Sequence, residues 1–333
     1  MTKLIISSFI LLIFSLLFLF IGIGNQTNQP FTYFPSLTFQ LANSSSSPPQ
    51  NIIILGLDKR NDWLEKSETT DTIILANLQP GRINLVSLPR DLWDWQLNTK
   101  INQIYPLSLK QTNNYQFIQD NFQRLTGQKI SKTLIVTTEN LVKLCQLIGG
   151  IDVYNDIAIK DEQYPNPEYI NYPDSQAPIY ITVEYPSGWL HLDATNITPF
   201  IRSRHSAETA QAGGTDIGRI QRQQAVFDAL FKKLSDPKQL NNLPYLFSLY
   251  RFWHSDIQTN LSDFDLGLII KSQLNLFNEL KMSKITIPTG ENPKTDIIYH
   301  PATFINQQWV FIPQQKDYFS FKQYIQQRLH ETN

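Results

Sequence analysis

The chain has 333 residues, 41% of them apolar, and its 28 basic and 29 acidic side chains leave a formal net charge of −1. That balance argues against nucleic acid as the main partner, because there is no general basic excess to neutralise phosphates. The apolar content is enough for one large domain or two modest ones. The one cysteine, Cys145 in LVKLCQLIGG, cannot form an internal disulfide. No second cysteine or tight histidine cluster suggests zinc, so Cys145 reads as a small buried side chain.

Residues 4–24 carry no charge and are rich in Leu, Ile and Phe. As a helix rising about 1.5 Å per residue, the stretch measures roughly 30 Å, the thickness of a bilayer's hydrocarbon core. A cleavable signal has a shorter apolar region and a small-x-small site after it; GIGNQTNQP offers no such site, so residues 1–24 are expected to form an uncleaved transmembrane anchor. Lys3 flanks it on one side and no basic residue follows until Lys59, which predicts a cytoplasmic N-terminus with the remainder outside. Residues 25–50 lack periodicity, carry Ser and Pro, and read as a tether.

NIIILGLD reads as a fully buried strand ending at Asp58, and TDTIILANL as a second one beginning at Asp71. Gln79, Pro80 and Gly81 turn the chain into a third, RINLVSLPRD, ending at Arg90 and Asp91. If consecutive strands run antiparallel, Asp58, Arg60, Asp71, Arg90 and Asp91 collect at one sheet edge. An amphipathic helix is expected over about 108–125. Strand TLIVTT, a helix through Leu144 ended by Gly149 and Gly150, and strand IDVYN follow. Residues 160–188, rich in Pro, Tyr and Asn, read as an irregular excursion. The last hundred residues hold a helical stretch at 264–280, strands at KITIP and WVFIP, and a closing helix from about Ser320. No linker-like composition sets them apart, so the expected organisation is a domain over 51–235 with a C-terminal α/β extension, 236–333, packed on it. Alternating strands and helices argue for a layered α/β domain.

Arg202, Arg204, Arg219 and Arg222 fall close together in FIRSRHSAETAQAGGTDIGRIQRQQ. Clustered planar guanidiniums suit a bidentate grip on phosphate or pyrophosphate oxygens. The second pair opens a helix, with Thr215 or Asp216 as N-cap and Pro237 as its stop. Arg219, Gln223, Val226 and Leu230 share one stripe, so the polar head of that helix points the same way as its buried tail. A merely solvated charge face would point the opposite way.

Asp58 and Asp71 can hold a hard divalent cation such as Mg²⁺, with water and phosphate oxygens completing its shell. Strand-end capping or salt bridges with the nearby arginines is the other reading of these two carboxylates. Arg60, Arg90, Arg202, Arg204, Arg219 and Arg222 can neutralise a pyrophosphate and the charge that develops in phosphoryl transfer. No nucleophilic constellation competes: Ser87 in SLPRD has no histidine partner in its sequence context, and the G-x-S-x-G and Walker patterns are absent. Neither His191 nor His205 has metal-ligand spacing to another histidine.

GLDKR, TTDTIILANL, SLPRDL, KINQIY, IGGIDVYN, GWLHLD, FIRSRH and DIGRIQRQQ follow one another between Asn51 and about Leu234. In that order and spacing they resemble the LytR–CpsA–Psr cell-wall ligases. The resemblance implies a three-layer α/β/α sandwich with a mixed central sheet, one N-terminal transmembrane helix before it and a hydrophobic cavity for a polyprenyl tail. It matches Asp58 and Asp71 to aspartates that bind Mg²⁺ (or Mn²⁺), with Asp71 also a candidate base. Arg60, Arg90, Arg202, Arg204, Arg219 and Gln223 match pyrophosphate-binding positions; Asp58, Asp71, Arg90 and Arg202 form the implied catalytic set. Arg222, grouped with the phosphate ligands by its guanidinium, also matches a motif position of structural character, as do Asp91, Lys100, Asn102 and Asp216. Thr69 stands where many relatives carry arginine, Phe200 where tyrosine is usual and Ala194 where glycine is common.

The implied activity is transfer of a glycan phosphate from an undecaprenyl-pyrophosphate-linked precursor to a sugar hydroxyl of peptidoglycan, releasing undecaprenyl phosphate. It would take place on the outer face of a bacterial cytoplasmic membrane, where both substrates meet the anchored protein. Two rivals keep the same residues: a polyprenyl-pyrophosphate hydrolase with water as acceptor, and a non-catalytic lipid-pyrophosphate-binding or envelope regulatory protein.

Overall fold

The computed structural model describes residues 48, 50–57, 60–62, 65–67, 69–172, 174–203, 216–234, 236, 239, 242–274 and 281–331, with the backbone alone for several of them, Arg60 and Arg219 included. The expected anchor, nearly all of the tether, Asp58, Arg204, Thr215 and Pro237 lie outside these residues. Among the described residues no helix is long and apolar enough to cross a membrane. The described residues gather into two compact units: 50–57 and 69–136 with those after 257, and 60–67 with those between 137 and 257. Residues 236–257 therefore stay with the arginine helix, while the elements after 257 complete the first unit.

That first unit is built on a six-stranded sheet. Its order is Gln258–Thr259, Lys132–Thr137, Asn51–Leu57, Thr70–Gln79, Arg82–Leu88 and Lys281–Thr286. The three apolar runs expected to pair antiparallel do so. Strand Lys281–Thr286 adds to the edge in parallel with Arg82–Leu88, so the sheet is mixed. Its central strands are buried along almost their whole length, which is why they read as unbroken apolar runs rather than alternating ones.

Side chains of Ile53, Leu55, Ile73, Leu75 and Val86 share a core with Phe122 of helix Asn114–Thr126 and with Phe321 and Ile325 of helix Phe319–Glu331. At one end of the sheet the Asn77 amide donates to Asn51 at 2.9 Å, Asn84 donates to Asn77 at 3.2 Å and Ser283 donates to Asn84. Asn51, Asn77, Asn84 and Ser283 also face one another in register across four strands. A fully partnered buried polar row of this kind fixes strand alignment, because a slip by one residue would strand its amides.

The helix expected over about 108–125 begins later, at Asn114. Asn113 caps it by accepting from the Gln116 N–H, and a separate short helix, Ile104–Ser108, precedes it. Gly127 ends it at φ 71°, and a Cβ there would lie 3.2 Å from Cγ of Lys322. The stretch read as helix over 264–280 is helical at Asp263–Leu274, with 275–280 outside the described residues. Only Ile312–Pro313 of WVFIP is strand.

In the second unit, helix Thr138–Leu147 starts with a reciprocal capping box between Thr137 and Asn140 and ends at Gly149 and Gly150, both with positive φ. Gly150 has a second reason to be glycine: a Cβ would sit 2.4 Å from the His191 ring. Strands Ile151–Asn155 and Gly188–Leu192 pair antiparallel. Residues 160–188 are not the irregular excursion expected. Ile159–Pro165 and Tyr180–Tyr185 form an antiparallel ribbon, joined through a short helix, Pro167–Asn171. The ribbon escaped notice because one of its buried residues is a carboxylate, Asp161, which breaks the apolar alternation a half-buried strand usually displays. Helices Ile197–Arg202, Asp216–Leu234 and Leu243–Asp256 follow.

Candidate active site

The pairing of the first two strands runs from Asn51↔Asn77 to Gly56↔Thr72 and then shifts to Leu57↔Thr70. Asp71 is the residue skipped. It is a bulge, and bulges turn a side chain out of the regular pleat, commonly beside active sites. The Asp71 carboxylate forms an ion pair with Nη1 of Arg90, whose Nε lies 3.5 Å from Asp91. Lys100 closes the row, with its Nζ 2.7 Å from Asp91. Burial pulls the Arg90 pKa down, but the charges and hydrogen bonds of Asp71 and Asp91 outweigh it and hold the guanidinium above its ordinary value. Arg90 is thus a fixed cation, and 48% of its side chain remains exposed.

Asn102 braces this edge through its backbone. Its N–H donates to the Arg90 carbonyl at 3.2 Å, and its carbonyl accepts from the buried Thr70 hydroxyl at 2.9 Å. Its side-chain Oδ1 is buried with no hydrogen-bond partner among the described residues. Of the five charged residues expected at this edge, the structure brings together Asp71, Arg90 and Asp91 and adds Lys100. Asp58 lies outside the described residues, as does the side chain of Arg60.

The second cluster lies in the other unit. Arg202 is the last residue of helix Ile197–Arg202, half-buried, and its Nη2 donates to the Thr138 hydroxyl at 3.2 Å. Thr138 opens a helix of 10 residues. A guanidinium beside the positive end of a helix dipole is an arrangement that an anion relieves, although Glu139 in that first turn already supplies one negative charge. On helix Asp216–Leu234 the stripe of Gln223, Val226 and Leu230 is buried as its spacing requires. The Gln223 amide donates to the Ile201 carbonyl at 3.0 Å, and its Oε1 is buried without a partner among the described residues.

Arg222, grouped above with the phosphate ligands, is placed differently. It is 5% exposed, its Nε donates to the Phe200 carbonyl at 2.9 Å, its Nη2 donates to the Ser203 carbonyl, and its guanidinium lies 5.9 Å from the centre of the Phe200 ring. These bonds hold the main chain around Arg202 in shape, the structural of the two roles open to it. Phe200 is itself fully buried, edge-to-face on Tyr185 at 5.0 Å, and burial pushes the Tyr185 hydroxyl up to about 12. Arg204 and the side chain of Arg219 lie outside the description.

Asp161 is the residue that sequence reasoning missed. It is 1% exposed and accepts from the Ser203 hydroxyl at 2.6 Å, so the residue between the two arginines of RSR is anchored to the ribbon. An acid in a Pro- and Tyr-rich stretch gave no signal of that partner.

The described oxygen donors suit a hard cation. Mg²⁺ is usually held by one or two carboxylates, with waters and substrate phosphates filling its shell, and Asp71 presents a carboxylate at the mouth of the bulge. No three acidic, histidine or cysteine side chains converge among the described residues, and Asp58, the other expected ligand, lies outside them.

A mixed α/β protein with a carboxylate-held arginine at a bulged sheet edge is the class these observations define. The chain belongs to the LytR_cpsA_psr family, whose model matches residues 25–327. That membership, together with curated relatives named as transferases, makes it a transferase. Among similar proteins is the polyisoprenyl-teichoic acid–peptidoglycan teichoic acid transferase TagU of Bacillus cereus, 24% identical over 263 residues that cover 77% of this chain and 74% of the relative. TagU of Enterococcus faecalis is 20% identical over 249 residues, covering 73% and 72%. Among solved structures, Bacillus subtilis TagV aligns over 86% of this chain and 98% of its own at a TM-score of 0.52 and 18% identity. The Streptococcus agalactiae protein gbs0355 gives a TM-score of 0.52 at 18% identity over 85% and 88%. These two likenesses concern the fold.

Proposed function

We propose that the chain transfers a glycan phosphate from an undecaprenyl-pyrophosphate carrier to a sugar hydroxyl of peptidoglycan. The observation that carries this reading is Arg90, a half-exposed cation tethered between Asp71 and Asp91 at a bulge. The names of the curated relatives support the substrate class. The implied three-layer sandwich, lipid cavity and outward-facing anchor at residues 1–24 belong to the same reading.

The acceptor hydroxyl oxygen attacks the phosphorus on the glycan side. The bond from that phosphorus to the bridging oxygen breaks, and polyprenyl phosphate leaves with the electron pair. The hydroxyl proton passes to a carboxylate, for which Asp71 is the candidate. Arg90 and Arg202 supply fixed positive charge to phosphate oxygens, with Arg60, Arg204, Arg219 and Gln223 as further ligands. Asp71, with Asp58, would hold Mg²⁺ (or Mn²⁺), which when bound would neutralise phosphate charge. Asp91 and Lys100 orient Arg90, and Arg222 shapes the segment that presents Arg202.

The test uses the full chain in bilayers with a polyprenyl-pyrophosphate oligosaccharide, Mg²⁺ and uncrosslinked peptidoglycan strands. Release of polyprenyl phosphate together with a gain of glycan mass on the strands, both lost in Asp71→Ala, is the expected result. Release without glycan gain would replace transfer by hydrolysis. Lipid binding with neither signal would leave a non-catalytic protein.

A further inference from the structure

Three aromatic rings of the C-terminal segment are not used by the site described above. His300 stacks on Trp309, with ring centroids 4.8 Å apart and planes inclined by 28°, and Phe304 lies 6.2 Å from His300. Phe304 is 65% exposed and Trp309 42%. The support beneath them is rigid: Ile298 and Val310 are fully buried, and strand Ile298–Tyr299 pairs on both sides, with Thr289–Gly290 and Ile312–Pro313. The His300 ring is fixed by donation from Nδ1 to the Val310 carbonyl at 2.9 Å, which makes Nε2 the acceptor of the neutral ring.

Between Phe304 and Trp309 the chain reverses in two residues. Asn306 and Gln307 both have left-handed backbones, at φ 48° and 62°, and Ile305 and Gln308 close the turn with bonds of 2.9 and 3.2 Å. Such turns normally recruit glycine, and a glutamine held there is strained. Strain that the surroundings enforce is a pointer to function.

The same segment is bound to the Arg90 turn. The Phe311 N–H donates to the Asp91 carbonyl at 2.9 Å, the Trp93 N–H donates to the Phe311 carbonyl at 2.8 Å, and Trp309 packs edge-to-face on Phe311 at 4.6 Å. The rings are therefore fixed to the turn that carries Arg90 and Asp91.

We propose that His300, Phe304 and Trp309 form a sugar-stacking subsite for a glycan ring adjoining the phosphate that reacts at the Asp71–Arg90 edge, an assignment that rests on the transferase reading. A pyranose offers C–H faces to the negative faces of aromatic rings and hydroxyls around its rim. Exposed Asn306, Gln307 and Gln308 border the rings, as a hydroxyl-edged ligand needs; a polyprenyl tail would need an enclosed apolar cleft. The ring can come from the acceptor strand or from the glycan on the lipid carrier, and the two are separable by experiment.

Affinities of the full chain and its Trp309→Ala, Phe304→Ala and Trp309→Phe variants would be measured by calorimetry. The probes are chitotetraose, a short-chain polyprenyl-pyrophosphate disaccharide, the same lipid pyrophosphate without sugar, and inorganic pyrophosphate. Each alanine variant is expected to weaken one sugar probe by about tenfold, the scale of one lost stacking contact. Sugar-free lipid and pyrophosphate should bind as before, and Trp309→Phe should keep wild-type affinity. Loss confined to chitotetraose assigns the acceptor ring, and loss confined to the lipid-linked disaccharide assigns the donor ring. Wild-type affinity of both alanine variants for both sugar probes overturns the subsite. Because Trp309 adjoins the Arg90 turn, a fall in pyrophosphate binding by Trp309→Ala transfers the decision to Phe304→Ala. Sugar-specific loss in a protein that performs no transfer would keep the subsite and discard the transferase reading.

Discussion

Arg90 keeps 48% of its side chain in solvent and is held by two carboxylates, whereas Arg222 is 5% exposed and gives its donors to two main-chain carbonyls. Both stand in arginine-bearing motifs, SLPRDL and DIGRIQRQQ, and residue type alone assigns them the same task. The partners separate them. Carboxylates at a surface can exchange a guanidinium with an incoming phosphate, because both partners can be rehydrated or neutralised. Carbonyls at a buried helix end cannot release theirs without losing that end. On the proposed reading arginine is a ligand group at the sheet edge, whereas in the arginine helix it is scaffold.

The largest effect should come from the exposed member. Arg90→Ala is expected to lower glycan transfer by about 10²–10³-fold while stability moves by less than about 1 kcal/mol. Arg90→Lys should recover little of it, since a point charge does not reproduce the planar fork. Steady-state transfer beside urea unfolding checks both, and a variant that unfolds instead would erase the contrast. Arg222→Ala should do the reverse, destabilising by about 3 kcal/mol, because two charge-assisted bonds are lost in a dry site. A wild-type midpoint for that variant would break the comparison. Asp161→Ala sharpens it: freeing Ser203 should cost about 1–3 kcal/mol, and Asp161→Asn, which can still accept from the hydroxyl, should lose less.

The smallest effect concerns Cys145, buried in the scaffold unit beside Leu192. Burial, with Asp193 adding to it, pushes its thiol from 9.0 up to about 11. The folded state therefore binds this proton more tightly than the unfolded chain. Its contribution is complete below the ordinary thiol value and lost as pH rises through about 11. Cys145→Ala should flatten the decline of the urea midpoint between pH 8 and 10.5, and an unchanged slope would show that the thiol contributes nothing.

How much of this was legible depends on which faces of each strand are buried. The first three strands announced themselves because both faces are apolar, and the Pro80–Gly81 turn fixed their antiparallel course. That course brought Asp71 and Arg90 to one edge. The bulge at Asp71 was hidden, since Thr69, Thr70 and Thr72 give no hydrophobic period from which a skipped register could be read. The ribbon of 159–185 was hidden by its buried carboxylate, and the burial of Arg222 by the charge that marked it as a ligand. The partner of strand Lys281–Thr286 left no local trace, because a parallel edge pairing is decided by tertiary packing.

That last strand pairs with one far back in the sequence: Arg82 pairs with Lys281, and nearby the Tyr318 hydroxyl donates to the Trp93 carbonyl at 2.7 Å. Contacts so distant in sequence make the sheet unit slow to fold, since a long loop must close before any of them forms. Until the C-terminal segment arrives, strand Arg82–Leu88 is an open edge lined by Ile83, Leu85 and Val86. A nascent or truncated chain ending before Lys281 is expected to expose that edge as a template for self-association, the edge that strand Lys281–Thr286 covers in the complete sheet.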